Sequence, residues 1–539
     1  MIDKLFGTDG IRGRANRYPM VPEVIVRVGR AVASCVMERQ VAVAGGFGGE
    51  PERASAEVLD NSAGAGDQEY QIHVSKGLVS EGRVSEGRVS ERQVSETQEQ
   101  TNRCGYFNPY VDSADHRATV LIGKDTRLSG YMIESALVAG LVAQGANVIM
   151  LGPIPTPAIA VLVRSLRADV GIMISASHNP YYDNGIKFFD SNGVKFSKEM
   201  EARIEAFVPD PQADDVKCGK SIRLDDAAGR YVEFAKSTFP KKYDLSGVKI
   251  VLDCANGAAY KVAPRIFWEL GATVIAMADE PNGRNINDGC GALHPSNMLR
   301  CVQDTGADIG IALDGDADRL LIATPGGQLV NGDQVLALIA KSWSARSEGG
   351  APRLTNGVVS TCMSNLGLKK YLQSLGISHF EAPVGDKNVV DLMRQTQSNL
   401  GGEESGHVIL SDYTTTGDGI IAALQVLAIA QGQGQGEGQR QGEGQGEGLG
   451  ALRFCLDDIF PVYTPCPQKT VNFSLVSGIS AQVVDELTQA IANQLGSDGH
   501  VVVRRSGTEP VVRVMIQHPD LDYIQHIFDH IVAPALAFS

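Results

Sequence analysis

Between Ala118 and Ile174 short apolar runs alternate with helix-length apolar stretches, and this alternation constrains the fold more than any other feature. The runs Ala118–Ile122, Asn147–Leu151 and Val170–Ile174 are β-branched and nearly continuous, as strands of a sheet covered on both faces must be. Helical stretches at about 131–144 and 157–166 separate them, so the pattern is β-α-β-α-β with right-handed crossovers. A second alternating unit starts near Val248 and reaches Leu313, and a third covers about Asn331–Ile429. The last block, from Ala451, carries strand-like runs at Val501–Val503 and Val511–Ile516 with helices around them, an α+β pattern. The expected fold class is therefore α/β: three mixed-sheet α/β domains plus a C-terminal α+β domain. The expected bounds are 1–208, 209–324, 325–430 and 450–539, with the break at Pro209-Asp210-Pro211 read as a linker and Asn184-Gly185 as a tight turn.

Two biased stretches interrupt this pattern. Residues 48–116 are polar and hold a five-residue repeat, Val79-Ser80-Glu81-Gly82-Arg83 and its successors, which offers too little apolar surface to offset its ordering entropy. Gln431–Gly448 is almost purely Gln, Gly and Glu; the range 431–449 reads as a flexible linker. Composition excludes several function classes. A formal charge of −15 argues against nucleic-acid binding, which needs clustered Lys and Arg. Nine cysteines without a CxxC pair point to reduced thiols in a cytoplasmic protein. The first ten residues lack a basic region followed by an apolar core, and no apolar run is long enough to span a bilayer, so neither a secretory signal nor a membrane partner is expected.

Four loops carry chemistry. Ser175-Ala176-Ser177-His178-Asn179-Pro180 follows the strand Val170–Ile174, at the carboxyl end where open α/β sheets bind ligands. Pro180 turns the chain away from helix and leaves Ser177 among small neighbours. His178 is adjacent to it, and neighbours on extended chain point apart, which makes His178 a poor base for that serine. Asp314-Gly315-Asp316-Ala317-Asp318-Arg319 places three carboxylates at alternate positions of a turn between apolar strands, a set suited to one hard divalent cation. It is not a calcium loop: the sixth position is Arg319, not Gly, and the twelfth is Pro325, not Glu. In Gly402-Glu403-Glu404-Ser405-Gly406-His407, Glu403 and Ser405 would lie on one side of extended chain and could hold sugar hydroxyls, with His407 able to move a proton near neutral pH. Arg504-Arg505-Ser506-Gly507-Thr508-Glu509-Pro510, with Arg513 beyond, joins arginine forks, hydroxyls and free N–H groups into a phosphate cradle, though no GxxxxGK[ST] loop occurs. No Gly-x-Ser-x-Gly elbow marks Ser177 as a hydrolase nucleophile. Beside a cation site and a phosphate site, it reads as a phosphoryl carrier.

Together with the opening Phe6-Gly7-Thr8-Asp9-Gly10-Ile11-Arg12-Gly13, these loops make the chain similar to the α-D-phosphohexomutase superfamily over nearly all its length outside the two biased stretches. The opening favours the glucosamine branch, with phosphomannomutase or phosphoglucomutase chemistry as the alternative and a non-catalytic sugar-phosphate binder behind it. The resemblance implies four domains around a central cleft. It implies interconversion of glucosamine 6-phosphate and glucosamine 1-phosphate through a 1,6-bisphosphate, on the route to UDP-N-acetylglucosamine. It makes Ser177 a phosphoserine required for activity, and Asp314, Asp316 and Asp318 the ligands, with the Ser177 phosphate, of one Mg²⁺. Arg12, Lys187 and His407 match positions assigned to acid–base or transition-state work. Arg319 falls to substrate binding, Glu403 and Ser405 to the sugar hydroxyls, and Arg504, Ser506, Gly507, Thr508 and Arg513 to the distal phosphate. A homodimer is compatible with the resemblance. Ordinary members pass more directly from the first helix to the Gly-Lys-Asp-Thr-Arg strand, so the 48–116 stretch is an insertion.

Overall fold

The computed structural model describes residues 4–7, 9–45, 117–209, 218–345, 353–438, 456–474, 480–505 and 511–537. The five-residue repeat, most of the 431–449 linker, and Ser506, Gly507 and Thr508 lie outside the described residues. Met1–Met37 and Arg117–Ser539 form one compact unit; of the second unit, Glu38–His116, the described part is the end of the helix Pro22–Gly45.

The first sheet contains β1 (Ile11–Arg14), β2 (Thr119–Lys124), β3 (Asn147–Pro153), β4 (Val170–Ile174), β5 (Asp183–Asp190) and β6 (Ser221–Arg223), in the order β1-β5-β4-β2-β3-β6. Strands β4, β2, β3 and β6 are parallel, whereas β5 runs antiparallel to both β4 and β1. All five residues of β4 and all six of β2 are buried, which explains their unbroken apolar sequence. Helices Pro22–Gly45 and Ser129–Ala143 contribute Ile25, Val28, Val32, Ile133, Leu137 and Leu141 to the core they share with this sheet.

Two readings are corrected here. The chain does not leave the first domain at 209, because Ser221–Arg223 returns to pair with β3 at the sheet edge. Nor do Asn184 and Gly185 form a turn: they lie inside β5, where Asn184 is buried and its side-chain amide donates to Ser129 Oγ at 2.9 Å. The second error has a physical cause: turn-forming residues are tolerated in a strand when neighbouring elements satisfy their polar groups.

The second sheet, β7 (Lys249–Asp253), β8 (Thr273–Met277), β9 (Ile309–Leu313), β10 (Leu320–Ala323) and β11 (Leu329–Val330), has the order β11-β10-β9-β7-β8. The third, β12 (Val358–Thr361), β13 (His379–Ala382), β14 (Leu400–Gly402) and β15 (Val408–Leu410), has the order β13-β12-β14-β15. Both mix parallel and antiparallel pairs. The fourth is antiparallel: β16 (Gln468–Ser474), β17 (His500–Arg505) and β18 (Val511–Gln517), with β18 central. It has its own core, where Leu487, Ile491, Val512, Val514 and Ile524 meet. The helix beginning at Gly419 runs to Gly438, so it carries the opening of the stretch read as a linker. Its buried first half, Ile420–Leu427, nucleates a helix that the glycines alone would not sustain. Among the described residues seven cysteines form no disulfide, and Cys35, Cys254 and Cys290 are the buried ones. No described helix is long and apolar enough to cross a membrane.

Candidate active site

Ser177 follows the carboxyl end of β4 and Asp314 that of β9, so two different sheets direct their loops at one another. Ser177 has φ +52°, a left-handed conformation that costs a serine about 1 kcal/mol and so needs restraint. Its N–H donates to Ser175 Oγ at 2.9 Å, and Ser175 in turn donates to Asp125 Oδ2 at 2.7 Å. The Ser177 hydroxyl donates to Asp314 Oδ2 at 2.6 Å. The same twist brings His178 Nδ1 to 3.3 Å from Ser177 Oγ, so the two side chains do not point apart as extended chain would have them. Burial, with help from Arg319 and Arg12, lowers the His178 pKa to about 4, so its imidazole is neutral near pH 7.

The carboxylates of Asp314, Asp316 and Asp318 are buried, with one oxygen of each within 4.8 Å of the others. Asp316 Oδ2 accepts from Lys187 Nζ at 2.7 Å and from Thr156 Oγ1 at 2.5 Å; Asp318 Oδ2 accepts from Lys187 at 3.0 Å. Lys187 stands on β5 and Thr156 opens the helix Thr156–Ser165, so first-domain side chains hold a second-domain loop. Burial raises the Asp314 pKa well above the carboxylate range, and repulsion from Asp318 and Asp316 adds to it. At Asp318 burial acts the same way, but Lys187 and His407 outweigh it and hold the group well below that range. Oδ1 of Asp316 and Oδ1 of Asp318 are buried without a hydrogen-bond partner. Orphaned buried carboxylate oxygens are costly, and a hard cation satisfies them. The donor set therefore fits a hard divalent cation such as Mg²⁺.

Glycine is required at two positions around these loops. A Cβ on Gly315 would stand 2.6 Å from the Ser177 carbonyl oxygen, so the two loops could not close with a larger residue. Gly10 has φ +74°, and a Cβ there would meet the Ile186 carbonyl at 2.1 Å. That close approach sets Asp9 and Arg12 against β5: Asp9 pairs with Arg12 and Lys195, and lies 3.9 Å from Lys187. Lys195 also bonds Asp386, which sits 3.8 Å from His407 Nε2. His407 is buried and its Nδ1 lies 3.7 Å from Asp318 Oδ1. Burial would depress its pKa, but Asp318 and Asp386 raise it.

Glu403 to Gly406 form the turn between β14 and β15, not extended chain, and the turn still brings the expected pair together. Ser405 Oγ donates to Glu403 Oε2 at 3.5 Å, and Glu403 Oε1 accepts from Gly385 N at 3.0 Å. Arg319 N donates to Asp314 Oδ1 at 3.1 Å. Arg504 and Arg513 are cross-strand partners on β17 and β18, both half-buried. Arg513 Nε donates to Asn472 Oδ1 at 2.9 Å, while Arg504 Nε is buried without a partner. Burial and the charge of Arg513 lower the Arg504 pKa, a repulsion that a bound anion would relieve.

Sequence reasoning missed Thr156, Lys195 and Asp386. Each sits in a loop or at a helix start beside a strand end, and position alone could have drawn attention to it.

Comparison with known proteins bears on what this arrangement does. Four domain descriptions of the phosphoglucomutase/phosphomannomutase family match in order: α/β/α domain I at 102–214, domain II at 229–327, domain III at 331–442 and the C-terminal domain at 468–533. A phosphoglucosamine mutase of Mesorhizobium japonicum is 42% identical over 99% of this chain and 98% of its own. One from Granulibacter bethesdensis is 44% identical over 98% and 95%. A crystal structure of a phosphoglucomutase/phosphomannomutase family protein from Burkholderia thailandensis superposes with a TM-score of 0.69 over 99% of this chain and 97% of that one, at 21% identity, and so shares the fold.

Proposed function

The chain belongs to the phosphoglucomutase/phosphomannomutase family, with the function of the phosphoglucosamine mutases that it matches from end to end, and we propose how its residues perform that reaction. Ser177 carries the phosphoryl group. In the forward half-reaction the Ser177 Oγ–P bond breaks and a P–O bond forms to the free hydroxyl of the bound sugar monophosphate. The hydroxyl proton leaves to a neighbouring base, and Ser177 Oγ regains a proton. The 1,6-bisphosphate so formed turns end over end, and Ser177 takes the other phosphoryl group.

The observation that carries this reading is the 2.6 Å contact of Ser177 Oγ with a buried cluster of three carboxylates, two of which keep an unpartnered oxygen. Asp314, Asp316 and Asp318 would hold Mg²⁺, which when bound offsets charge on the phosphoryl oxygens. Lys187 supplies a second fixed positive charge, since Asp316, Asp318 and Asp9 keep its ammonium protonated against its burial. Neutral His178 stays within hydrogen-bonding range of Ser177 Oγ, and His407 holds a proton at the edge of the same cluster. Arg12 fixes Asp9, and Arg319 lies beside Asp314. Glu403 and Ser405 present a carboxylate and a hydroxyl to sugar hydroxyls. The stretch from Arg504 through Ser506, Gly507 and Thr508 to Arg513 grips the phosphate that is not reacting, in either orientation of the sugar. The protein works as a cytoplasmic enzyme.

The test is intact mass before and after phosphatase, together with turnover. The expected result is one phosphoryl group on the wild type, none on Ser177→Ala, and loss of mutase activity in both dephosphorylated protein and variant. Near-normal turnover by Ser177→Ala would overturn the carrier role. Comparing kcat/KM for glucosamine, glucose and mannose phosphates tests the choice of sugar.

A further inference from the structure

We propose that Arg127 and Asn287 are positioning residues that clamp the Ser177 loop from two domains; this rests on Ser177 being the phosphoryl carrier. Arg127 stands between β2 and the helix Ser129–Ala143, fully buried. Its Nη2 donates to the carbonyls of Ser177 and Asn179 at 2.9 and 2.8 Å. Its Nη1 donates to those of Pro180 and, at 3.1 Å, Asp183. Asn287, from the second domain, donates its amide to the same two carbonyls, Ser177 at 2.9 Å and Asn179 at 3.1 Å. Asn287 is itself anchored, its N–H on Ala255 O at 2.9 Å and its backbone left-handed at φ +57°.

Two donors from different domains on one pair of carbonyls are more than loop stability needs, because a single partner satisfies a buried carbonyl. What the pair adds is position. Ser177 is in a strained conformation, and from it the hydroxyl reaches Asp314. A phosphoryl group on Ser177 adds bulk and charge at the Oγ end of the loop, and movement of the loop would misplace it against the carboxylates and the cation they would hold. Arg127 and Asn287 oppose the movement from behind the serine. Arg127 does so at low electrostatic cost to the reacting group, because Asp125 neutralises it through Nε at 2.8 Å. The guanidinium acts through its fork, which reaches four carbonyls, and a lysine has no equivalent geometry.

Asn287→Gly tests this, since glycine keeps the left-handed backbone and removes only the amide. Turnover is measured per phosphorylated molecule, with the phosphorylated fraction taken from intact mass. The expected result is a kcat about 100-fold lower, the scale of an ångström of misplacement, with KM for glucosamine 1-phosphate within about threefold of wild type. Arg127→Lys should lose a similar factor, and the double variant should lose little more than the worse single one, because both donors hold the same carbonyls. Unchanged kcat in Asn287→Gly, a rise in KM alone, or losses that multiply in the double variant would each overturn the clamp. Ser177→Ala run in parallel separates the readings. If it is inactive while Asn287→Gly turns over normally, only the clamp fails; if it is active, the carrier falls and the clamp with it.

Discussion

At the Ser177 end of the site the reacting side chains are buried and held by partners from two domains, whereas the arginines at the Arg504 end stand half-exposed on a three-stranded sheet with its own small core. Lys187, Thr156 and Asn287 cross between the first two domains to fix the reacting groups. The C-terminal domain joins its neighbour through neutral amide side chains that bond backbone, with no buried charge at these contacts. Asn365 bonds both N–H and C=O of Cys466, Gln334 bonds Val462 and Tyr463, and Gln517 bonds Leu366. Phosphoryl transfer tolerates little displacement, so rigidity belongs where bonds change. On the proposed reaction, a phosphate grip that serves two sugar orientations would need charge and reach, and a separately mounted sheet would provide both.

The sharpest way to break this comparison is Ser177→Ala. Turnover should fall by about 10⁴-fold or more, the scale of removing a covalent nucleophile, with the melting temperature unchanged in a thermal scan. Next in size is Asp318→Asn, which removes one carboxylate from the cluster and one partner from Lys187. An activity loss of about 10²- to 10³-fold is expected, with a raised Mg²⁺ requirement read from a titration after chelation. Removing charge at the opposite end should act on binding. For Arg513→Ala the expected change is a KM raised about 10- to 100-fold with kcat nearly constant, equally in both directions of the reaction, as for uniform loss of a charged hydrogen bond. A large fall in kcat with KM unchanged would mean that the cradle also positions the reacting end.

The smallest effect concerns the joint behind the cradle. Asp333 is buried with Oδ1 unpartnered, and its Oδ2 accepts the N–H of Asn365, the residue that holds Cys466. Burial raises its pKa from 3.8 to about 7. A carboxyl that binds its proton more tightly when folded stabilises the fold fully below about pH 4, and that contribution is lost as pH rises through about 7. Asp333→Asn should therefore remove a fall in stability of a few kcal/mol between pH 4 and 8, read as the difference between wild-type and variant denaturation curves. Parallel curves would show that Asp333 is ionised in the folded protein throughout that range.

Much of this was legible in the residues alone. The buried strands at Thr119–Lys124, Val170–Ile174 and Ile309–Leu313 were visible because parallel strands covered on both faces must be apolar throughout. The carboxylates of Asp314, Asp316 and Asp318 were visible because three acids on alternate positions of one turn are a local pattern. The approach of His178 to Ser177 was not legible because it depends on a left-handed φ that no residue type at that position announces, whereas its lowered pKa agrees with the reading that it is a poor base. The first domain boundary was misplaced because the return of Ser221–Arg223 to β3 is a long-range pairing of a short, half-exposed strand with no apolar signature.

The sequence by itself determined which groups are available: a serine after a strand, an acidic turn, a carboxylate–hydroxyl turn and an arginine pair, in that order along an α/β chain. Only the tertiary structure decided which of them meet. The Ser177–Asp314 contact spans 137 residues and the Lys187–Asp316 contact 129, and each depends on loops from the first two sheets meeting. Local composition specifies elements through burial and backbone preference, which act within a few residues. Contacts between domains depend on the summed geometry of every element in between, and no short stretch of sequence carries that sum.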